Sequence, residues 1–210
     1  MPTSAQESHI TRIDLVGGHP AMDFVNTVDD WYARPMENYL ADYRALLQWA
    51  ARTELVPAAT LRRLERLGAR KPEAARRAHR RAIAIRETLQ RIFSALADTR
   101  PALKPDLERL NGWLARALPR RRVLPTAERY EWQWQEQPLL LDRVSWPVLT
   151  ASADLLCSTD AARLRECPGC GWLFLDRSRN RSRRWCSMRT CGNTAKARRH
   201  YRRHKSTVGE

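Results

Sequence analysis

The spacing of apolar residues predicts a mainly helical first half of the chain. The clearest case is the stretch 73–97, where apolar side chains recur in steps of four and three, as on one face of an α-helix: Ala78, Ala82, Ile85, Leu89, Ile92 and Leu96. The same periodicity predicts helices over 39–52 and 105–117. A shorter helix is expected over 57–67, because a proline begins this stretch and a glycine follows it.

A change of period after these helices marks a β-hairpin. Apolar and polar residues alternate in Arg122-Val123-Leu124 and in Tyr130-Glu131-Trp132-Gln133-Trp134, as they do in strands. Pro125-Thr126-Ala127 fits the turn between them. A further helix is expected over 142–158, with Pro147 limiting its first turns. The fold class that follows is mainly α with a small β-hairpin, that is, α+β.

The distribution of charge divides the chain into two parts. The formal net charge is +15, from 38 Lys and Arg against 23 Asp and Glu. Residues 177–205 hold twelve Lys or Arg and no Asp or Glu, whereas residues 1–159 hold 24 against 19, a net of only +5. So concentrated a basic segment attracts polyanions such as nucleic acid. We therefore expect a mixed-charge helical domain over 1–160 and a separate basic module over 161–210.

The N-terminus and the number of cysteines favour a cytoplasmic protein. The first residues show no secretory signal, and no apolar run approaches the roughly 18 residues of a membrane span. Five cysteines in a long basic chain argue for metal ligands or structural thiols rather than a disulfide framework. The expected setting is the cytoplasm, in association with the nucleoid and without a membrane partner.

Four of the cysteines have the spacing of a zinc site. Cys167 and Cys170 are followed after fifteen residues by Cys186 and, after four more, by Cys191, which gives the pattern C-x2-C-x15-C-x4-C. Two close pairs at this separation can place four thiolates around one ion at Zn–S distances of about 2.3 Å. Four thiolates leave no position for water, which argues for one structural zinc per chain rather than a hydrolytic one.

Two alternatives to this ligand set remain open. Four unligated thiols that pack or oxidise would share the spacing, and His200 and His204 would present an i, i+4 pair of ligands on a helix. The fifth cysteine, Cys157, lies outside the spacing in an apolar stretch, where we expect it to be a small buried residue. Strands expected at 172–175 and around Trp185, with a helix from about 193, would form a ββα finger similar to a treble clef.

The basic residues of this finger are the candidate nucleic-acid contacts. Arginine binds phosphate and guanine in bidentate fashion, and asparagine pairs with adenine. The candidates are Arg177, Arg179, Arg181, Arg183, Arg184, Asn193, Lys196, Arg199, Arg202 and Arg203. On the C-terminal helix we expect the face with Ala197, Tyr201 and His204 to pack on the finger. The alternatives are that the arginines only neutralise the charge of about −2 on a tetrathiolate zinc, or form a solvated face.

The cysteines and their neighbours resemble the CGNR zinc finger family. The similar segments are Cys170-Gly-Trp-Leu-Phe-Leu-Asp176, Ser178-Arg-Asn180, Arg184-Trp-Cys-Ser-Met188 and Cys191-Gly-Asn193. Upstream, Asp23-Phe-Val-Asn-Thr27 resembles the N-terminal signature of the ABATE domain, which precedes this finger in bacterial proteins. The resemblance implies a stress-induced transcription regulator, with a finger that binds DNA and a body proposed to sense a small ligand. The motif that names the finger ends in Arg, but this chain has Thr194, which puts DNA affinity or sequence preference in doubt and leaves the zinc site intact.

Polar residues of the body are candidates for ligand binding. Asn26, Thr27 and Trp31 form a polar and aromatic cluster ahead of the long helices, and Arg86 borders the apolar stripe of the helix predicted at 73–97. A half-buried arginine with Asn and Thr nearby suits the carboxylate or phosphate of a small effector. The structural alternative is that Asn26 and Thr27 build a turn and that Arg86 pairs with an acid.

The expected function is that of a zinc-dependent, DNA-binding transcription regulator with a ligand-sensing N-terminal domain. No catalytic constellation is evident, so we do not expect an enzyme. The expected partners are double-stranded DNA, a small-molecule effector and a second copy of the chain, with the Trp132/Trp134 hairpin as an available dimer surface. Two alternatives are an RNA- or ribosome-associated zinc-finger protein and a module that binds an acidic protein.

Overall fold

The computed structural model of the protein describes residue 10 and residues 13–207, the side chains of residues 200 and 202–207 excepted. The helices of this part are α1 (Pro20–Val25), α2 (Tyr43–Arg52), α3 (Ala58–Arg70), α4 (Pro72–Ala97), α5 (Lys104–Ala117), α6 (Trp146–Leu156) and α7 (Asn193–Thr207). The strands are β1 (Arg121–Pro125), β2 (Tyr130–Trp134), β3 (Leu164–Glu166) and β4 (Leu173–Leu175). The expected fold class, mainly α with a small hairpin and a finger, is confirmed.

Local sequence explains where the helices begin and end. Helix α2 begins after Asp42, whose carboxylate accepts a hydrogen bond from the backbone N–H of Ala45 at 2.8 Å, as an N-cap does. Helix α3 begins after Pro57 but continues past Gly68, where we expected it to end. Gly68 serves packing instead, since a Cβ there would lie 3.2 Å from the ring of Tyr43 on α2. The long helix expected at 73–97 is α4, shifted by one residue at its start.

Helix α1 was not predicted, although it lies at the centre of the core. His19 caps it through Nδ1, which accepts from the N–H of Ala21 at 3.2 Å, and a proline occupies its first turn. The ring of Phe24 lies 5.0 Å from that of Trp49 on α2. A helix of six residues is too short to show a 3.6-residue period, so its apolar residues gave no signal.

The predicted hairpin is formed by β1 and β2, which pair antiparallel with Val123 opposite Trp132. Its base is anchored to the body, because the ring of Trp134 lies 5.3 Å from that of Trp146 at the start of α6. Its far end projects into solvent, with Tyr130 74% and Trp132 60% exposed. The predicted helix over 142–158 is α6, preceded by a 3₁₀ turn at Leu141–Ser145.

The strands of the finger share the core of the helices. Strands β3 and β4 pair antiparallel and pack against α1 and α4, and Leu164, Leu173 and Leu175 are buried in the same apolar cluster as the helices. The apolar core is therefore continuous across residue 160, and the predicted domain boundary at this position stays a prediction. Among the described residues, no helix has both the length and the apolar character needed to cross a lipid bilayer.

Candidate metal centre and basic surface

The structure brings four of the five cysteines together. The sulfur atoms of Cys167, Cys170, Cys186 and Cys191 all lie within 4.8 Å of one another. Cys170 Sγ is 3.6 Å from Cys186 Sγ, which is 3.7 Å from Cys191 Sγ. The first three residues are buried and Cys191 is half-buried. Cys157 lies apart from them and is exposed just after α6, so the expectation that it is buried was wrong.

The first cysteine pair lies in the tight turn that joins β3 to β4. The N–H of Cys167 donates to the carbonyl of Trp172 at 2.8 Å, and the N–H of Gly171 donates back to the carbonyl of Cys167 at 2.9 Å. Gly171 has φ +71° and a Cβ there would lie 2.8 Å from Cβ of Trp31, so both conformation and space favour glycine. The partner strand of β4 is thus β3 and not the predicted strand around Trp185, which lies in a loop.

The second pair leads directly into the C-terminal helix. Cys191 lies in a π-helical turn, Met188–Gly192, and α7 begins at the next residue. The N–H of Gly192 donates to the carbonyl of Ser187 at 3.0 Å, and a Cβ at Gly192 would lie 2.7 Å from Sδ of Met188. The metal ligand and the first turn of α7 are therefore held by the same compact turn.

The geometry of the cluster fits a tetrahedral zinc ion. Zn–S distances of about 2.3 Å require sulfurs roughly 3.8 Å apart, close to the separations observed. The hydrogen bonds of the neutral Cys170 thiol to Cys167 and Cys186 raise the pKa of Cys170, while the bonds that Cys167 accepts lower the pKa of Cys167. Four such sulfurs ionise together only around a cation, so the donor set is that of a structural metal site.

Comparison with known families agrees with this geometry. Residues 163–204 match the CGNR zinc finger, and residues 18–159 match the ABATE family, whose description reads "Putative stress-induced transcription regulator". The chain belongs to the ABATE family. Its C-terminal CGNR finger holds one structural zinc through the four cysteines, and the resemblance noted in the sequence is confirmed. None of the curated proteins compared with this ABATE protein matches it.

Arg183 is part of the framework of the CGNR finger, although it was one of the predicted DNA contacts. Its guanidinium lies 4.3 Å from the ring centroid of Phe174 and donates to the carbonyls of Val16, Trp185 and Cys186. This role leaves little of the side chain for a phosphate. We therefore remove Arg183 from the predicted DNA-binding set.

Asp176 holds the start of the arginine-rich loop. Its carboxylate is buried and accepts hydrogen bonds from the N–H and Oγ of Ser178 and from the N–H of Arg183. Burial acts to raise the pKa of Asp176, but these hydrogen bonds outweigh it and lower the pKa. An ionised Asp176 therefore holds the loop in place through its hydrogen bonds. From the sequence, Asp176 was named only as part of the family motif, and this role was not predicted.

The other predicted DNA contacts whose side chains are described are exposed: Arg177, Arg179, Arg181, Arg184, Asn193, Lys196 and Arg199. Three of them have neighbours: Arg177 lies 3.7 Å from Asp160, Arg184 stacks over the ring of Trp185, and Asn193 donates to the carbonyl of Arg189. The side chains of Arg202 and Arg203 lie outside the described residues, as do those of the alternative ligands His200 and His204. The predicted set omitted Arg189, which is 83% exposed on the π-helical turn.

Helix α7 has no buried face in its described part. The prediction that Ala197 and Tyr201 pack on the finger was wrong, because both are exposed, Tyr201 by 68%. The helix packs mainly on the π-helical turn before it. Asn193 is exposed at its start and donates from Nδ2 to the carbonyl of Arg189 at 3.2 Å.

Two of the predicted ligand-binding residues have structural partners. Asn26 is buried and pairs with the backbone of Leu173 on β4: its Nδ2 donates to the carbonyl at 2.8 Å and its Oδ1 accepts from the N–H at 2.9 Å. Thr27 is buried and donates to the carbonyl of Phe24. The side chain of Asn26 therefore joins the ABATE body to the finger rather than facing a ligand.

The other two, Arg86 and Trp31, contact each other. The guanidinium of Arg86 lies 5.7 Å from the ring of Trp31 and donates to Thr27 and to Oδ1 of Asn38. No carboxylate pairs with Arg86 among the described residues, and burial lowers its pKa to about 10. Within the described part of the chain, Arg86 Nε and Trp31 Nε1 are buried donors without a hydrogen-bond partner. The alternative in which Arg86 pairs with an acid is therefore not observed there.

A cavity of about 380 Å³ lies between the ABATE body and the zinc cluster. Body residues on its wall are Ile13, Asp14, Val16, Asp29 and Tyr39, and finger residues are Cys170, Trp172, Cys186, Ser187, Thr190 and Cys191. None of the four predicted ligand-binding residues lines it. The predicted cluster is nevertheless close in sequence to one lining residue, since Asp29 follows Thr27 by two positions.

Proposed function

We propose that this ABATE protein is a DNA-binding transcription regulator, rather than an enzyme, that acts in the cytoplasm on the nucleoid. Its CGNR finger contacts double-stranded DNA and its body responds to a small effector. The observation that carries the proposal is a zinc-fixed turn from which an exposed basic helix extends. Residues 177–205 contain twelve Lys or Arg and no Asp or Glu, more positive charge than a tetrathiolate zinc of about −2 needs.

The position of α7 supports contact with DNA. Its first residue follows Cys191 by two positions, so the metal determines where the helix begins. Apart from the half-buried Ala195, every described side chain from 193 to 201 is exposed. A helix that is polar on all sides gains little from packing and is stabilised by a partner. A basic helix of this kind suits the major groove or the phosphate backbone.

Thr194 replaces the arginine of the family motif and is exposed on the first turn of α7. Arg198 is exposed one turn later, on the same side of the helix. In our proposal Arg198 provides the guanidinium that position 194 lacks, while Arg189 provides a further cation on the π-helical turn.

The proposal is tested by titrating the zinc-loaded chain with duplex DNA across a salt series. At about 0.9 per neutralised phosphate, several contacts give a slope of log K against log salt of about −4 to −6. The double variant Lys196→Gln/Arg199→Gln removes two exposed cations of α7, and we expect the slope to weaken by about 1.8. The matched control, Arg62→Gln/Arg66→Gln, removes two exposed cations of α3 and should leave the slope unchanged.

Competition with single-stranded RNA distinguishes the DNA-binding hypothesis from the RNA-binding one. Stacking of unpaired bases needs exposed aromatic rings, and among the described finger residues Tyr201 is exposed and Trp185 is half-buried. We therefore expect duplex DNA to be preferred. Absence of duplex binding at low salt, or preference for the RNA, would overturn the proposal and favour an RNA-associated or acidic-partner role.

A homodimer is part of the proposal. The projecting hairpin exposes Val123, Leu124, Tyr130 and Trp132, and regulators with twofold operators bind as dimers. Sedimentation of the chain and of Trp132→Ser tests this point: the wild type should sediment as a dimer, and the variant should dissociate at a higher concentration. A wild-type monomer at all concentrations used would remove the dimer from the proposal.

A further inference from the structure

The cavity between the ABATE body and the zinc cluster has the chemistry of a binding site for a positively charged ligand. Two acidic residues, Asp14 and Asp29, line it from the body side. Three of the four zinc ligands, Cys170, Cys186 and Cys191, line it from the finger side, and a zinc ion with four thiolates has a net charge of about −2. Of the described residues on its wall, none is Lys, Arg or His. The described residues that line it therefore carry negative charge on both sides.

The remaining wall determines the shape of ligand that fits. Ile13, Val16 and Trp172 provide apolar surface, and Trp172 is held in place because its indole N–H donates to the carbonyl of Val28 at 2.9 Å. Burial, together with Glu37 and Asp29, raises the pKa of Tyr39, so its hydroxyl remains neutral. A volume of about 380 Å³ lies at the lower end of the range for small-molecule sites. A flat or branched apolar group with one cationic end fits this combination.

One cation already approaches the site from its edge. Arg189 of the π-helical turn lies 3.6 Å from Asp14, and this ion pair joins the segment ahead of α1 to the turn that begins α7. The Arg189 side chain is 83% exposed, so the pair is screened by solvent and readily exchanged. A ligand cation that binds Asp14 would take the place of Arg189 and release its guanidinium.

We propose that this cavity binds a small organic cation, an amine or amidine with an apolar body, between Asp29 and Asp14 and against Trp172. Occupancy is transmitted to α7 because Thr190 and Cys191 belong to both the cavity wall and the turn that begins the helix, and Ser187 on the same wall caps that turn. The effector role rests on the proposed DNA-binding function, whereas the binding site itself does not. Ligand binding and DNA binding are therefore measured separately.

Three probes of nearly the same shape and different charge test the site: benzamidine (+1), benzamide (neutral) and benzoate (−1). Each is titrated into the zinc-loaded full-length chain without DNA, by calorimetry and by the NMR signal of the Trp172 indole N–H. We expect benzamidine to bind saturably and at least tenfold more tightly than benzamide, to move the Trp172 signal, and benzoate not to bind. Equal binding of benzamidine and benzamide, or no saturable binding of benzamidine, overturns the proposal.

Charge-removing variants locate the binding. Asp29→Asn keeps the oxygen that accepts from the N–H of Glu37 but removes the charge, and Asp14→Asn removes the partner of Arg189. Each should reduce the preference for benzamidine over benzamide severalfold. Glu128→Gln, an exposed residue of the hairpin turn, is the matched control and should leave the preference unchanged. An unchanged preference in both aspartate variants overturns the assignment to this cavity.

The regulatory part has its own readout. Duplex DNA affinity is measured with and without saturating benzamidine, and a change of at least threefold that is absent in Asp29→Asn supports coupling. Benzamidine binding without DNA binding would support the cation site and overturn the proposed DNA-binding function. DNA binding without benzamidine binding would support the DNA-binding function and overturn the cation site. If both bind and the DNA affinity stays the same, the coupling is overturned.

Discussion

Replacing Asn26 with leucine tests whether the ABATE body and the CGNR finger are one cooperative unit. Asn26 is 1% exposed at the end of α1, and its side chain pairs with both the carbonyl and the N–H of Leu173, which is 0% exposed on β4. Leucine has a similar size but makes neither hydrogen bond. The N–H and C=O of Leu173 would then be left buried without a partner.

The expected cost follows from these two groups. A buried polar group that loses its partner costs about 1–3 kcal/mol, so the pair of them costs about 2–6 kcal/mol. The additional apolar side chain offsets about 1–2 kcal/mol through burial. Taking the middle of each range, we expect Asn26→Leu to lower the free energy of unfolding by about 2.5 kcal/mol, a substantial part of the 5–15 kcal/mol that is typical of a folded domain.

The measurement is urea unfolding of the zinc-loaded chain at pH 7, followed by tryptophan fluorescence and by far-ultraviolet circular dichroism. A single unit predicts that both signals shift together to a lower midpoint. Asn111→Leu, the same substitution at an exposed position of α5, serves as control and should stay within about 0.5 kcal/mol of the wild type. The reasoning fails if Asn26→Leu is as stable as that control.

Three further predictions concern the metal, the framework of the finger and pH. Cys186→Ser removes one thiolate, and metal analysis should find less than about one zinc per chain, whereas full occupancy would count against the four-cysteine site. Arg183→Gln removes the cation over Phe174 and its hydrogen bonds to backbone carbonyls. Urea unfolding should therefore show a free energy of unfolding lower by about 1–3 kcal/mol, while the salt dependence of DNA binding is unchanged. A weaker salt dependence would instead make Arg183 a DNA contact. Hydrogen bonds from Arg91 lower the pKa of Asp106 below its ordinary value of 3.8, so the stability they provide is fully present above pH 3.8 and is lost as the pH falls through the lower folded value. Asp106→Asn should therefore lower the melting temperature at pH 7, and this difference should shrink as the pH is lowered below 3.8; a difference independent of pH contradicts the ion-pair explanation.

Features that depend on neighbours along the chain were predictable. Helix α4 occupies Pro72–Ala97, within one residue of the prediction, because its apolar stripe from Ala78 to Leu96 repeats over about five turns. The zinc site was predictable for a similar reason, since a C-x2-C turn fixes two ligands locally. The paired strands β1 and β2 followed from alternation on either side of a short turn.

Features that depend on distant partners were not predictable from spacing. Asn26 bonds to Leu173, 147 residues away, and Arg183 bonds to Val16, 167 residues away. From sequence alone both residues had the character of ligand or DNA contacts, because a polar side chain shows only its chemistry and not its partner. The prediction for Tyr201 was wrong in the opposite direction, because it was expected to pack and is exposed. An apolar position on a helix is buried only where another element lies close enough to cover it.

The two halves of the CGNR finger are attached to the ABATE body unequally. The half with Cys167 and Cys170 is joined to the body by three contacts. The side chain of Asn26 pairs with the backbone of Leu173, the backbone N–H of Trp31 donates to the carbonyl of Cys170, and β4 packs in the core. The half with Cys186, Cys191 and α7 is joined to the body ahead of Cys186 by the hydrogen bond from Arg183 to the carbonyl of Val16. Beyond Cys186, Cys191 and α7 reach the body through an exposed ion pair at Arg189 and across the metal site. Since an exposed ion pair contributes little, the zinc ion is the main constraint on the direction of α7. Removal of zinc should therefore release the basic helix while the hairpin of β3 and β4 stays on the body. A molecule bound in the proposed site beside the zinc ligands would act on α7 through the same turn.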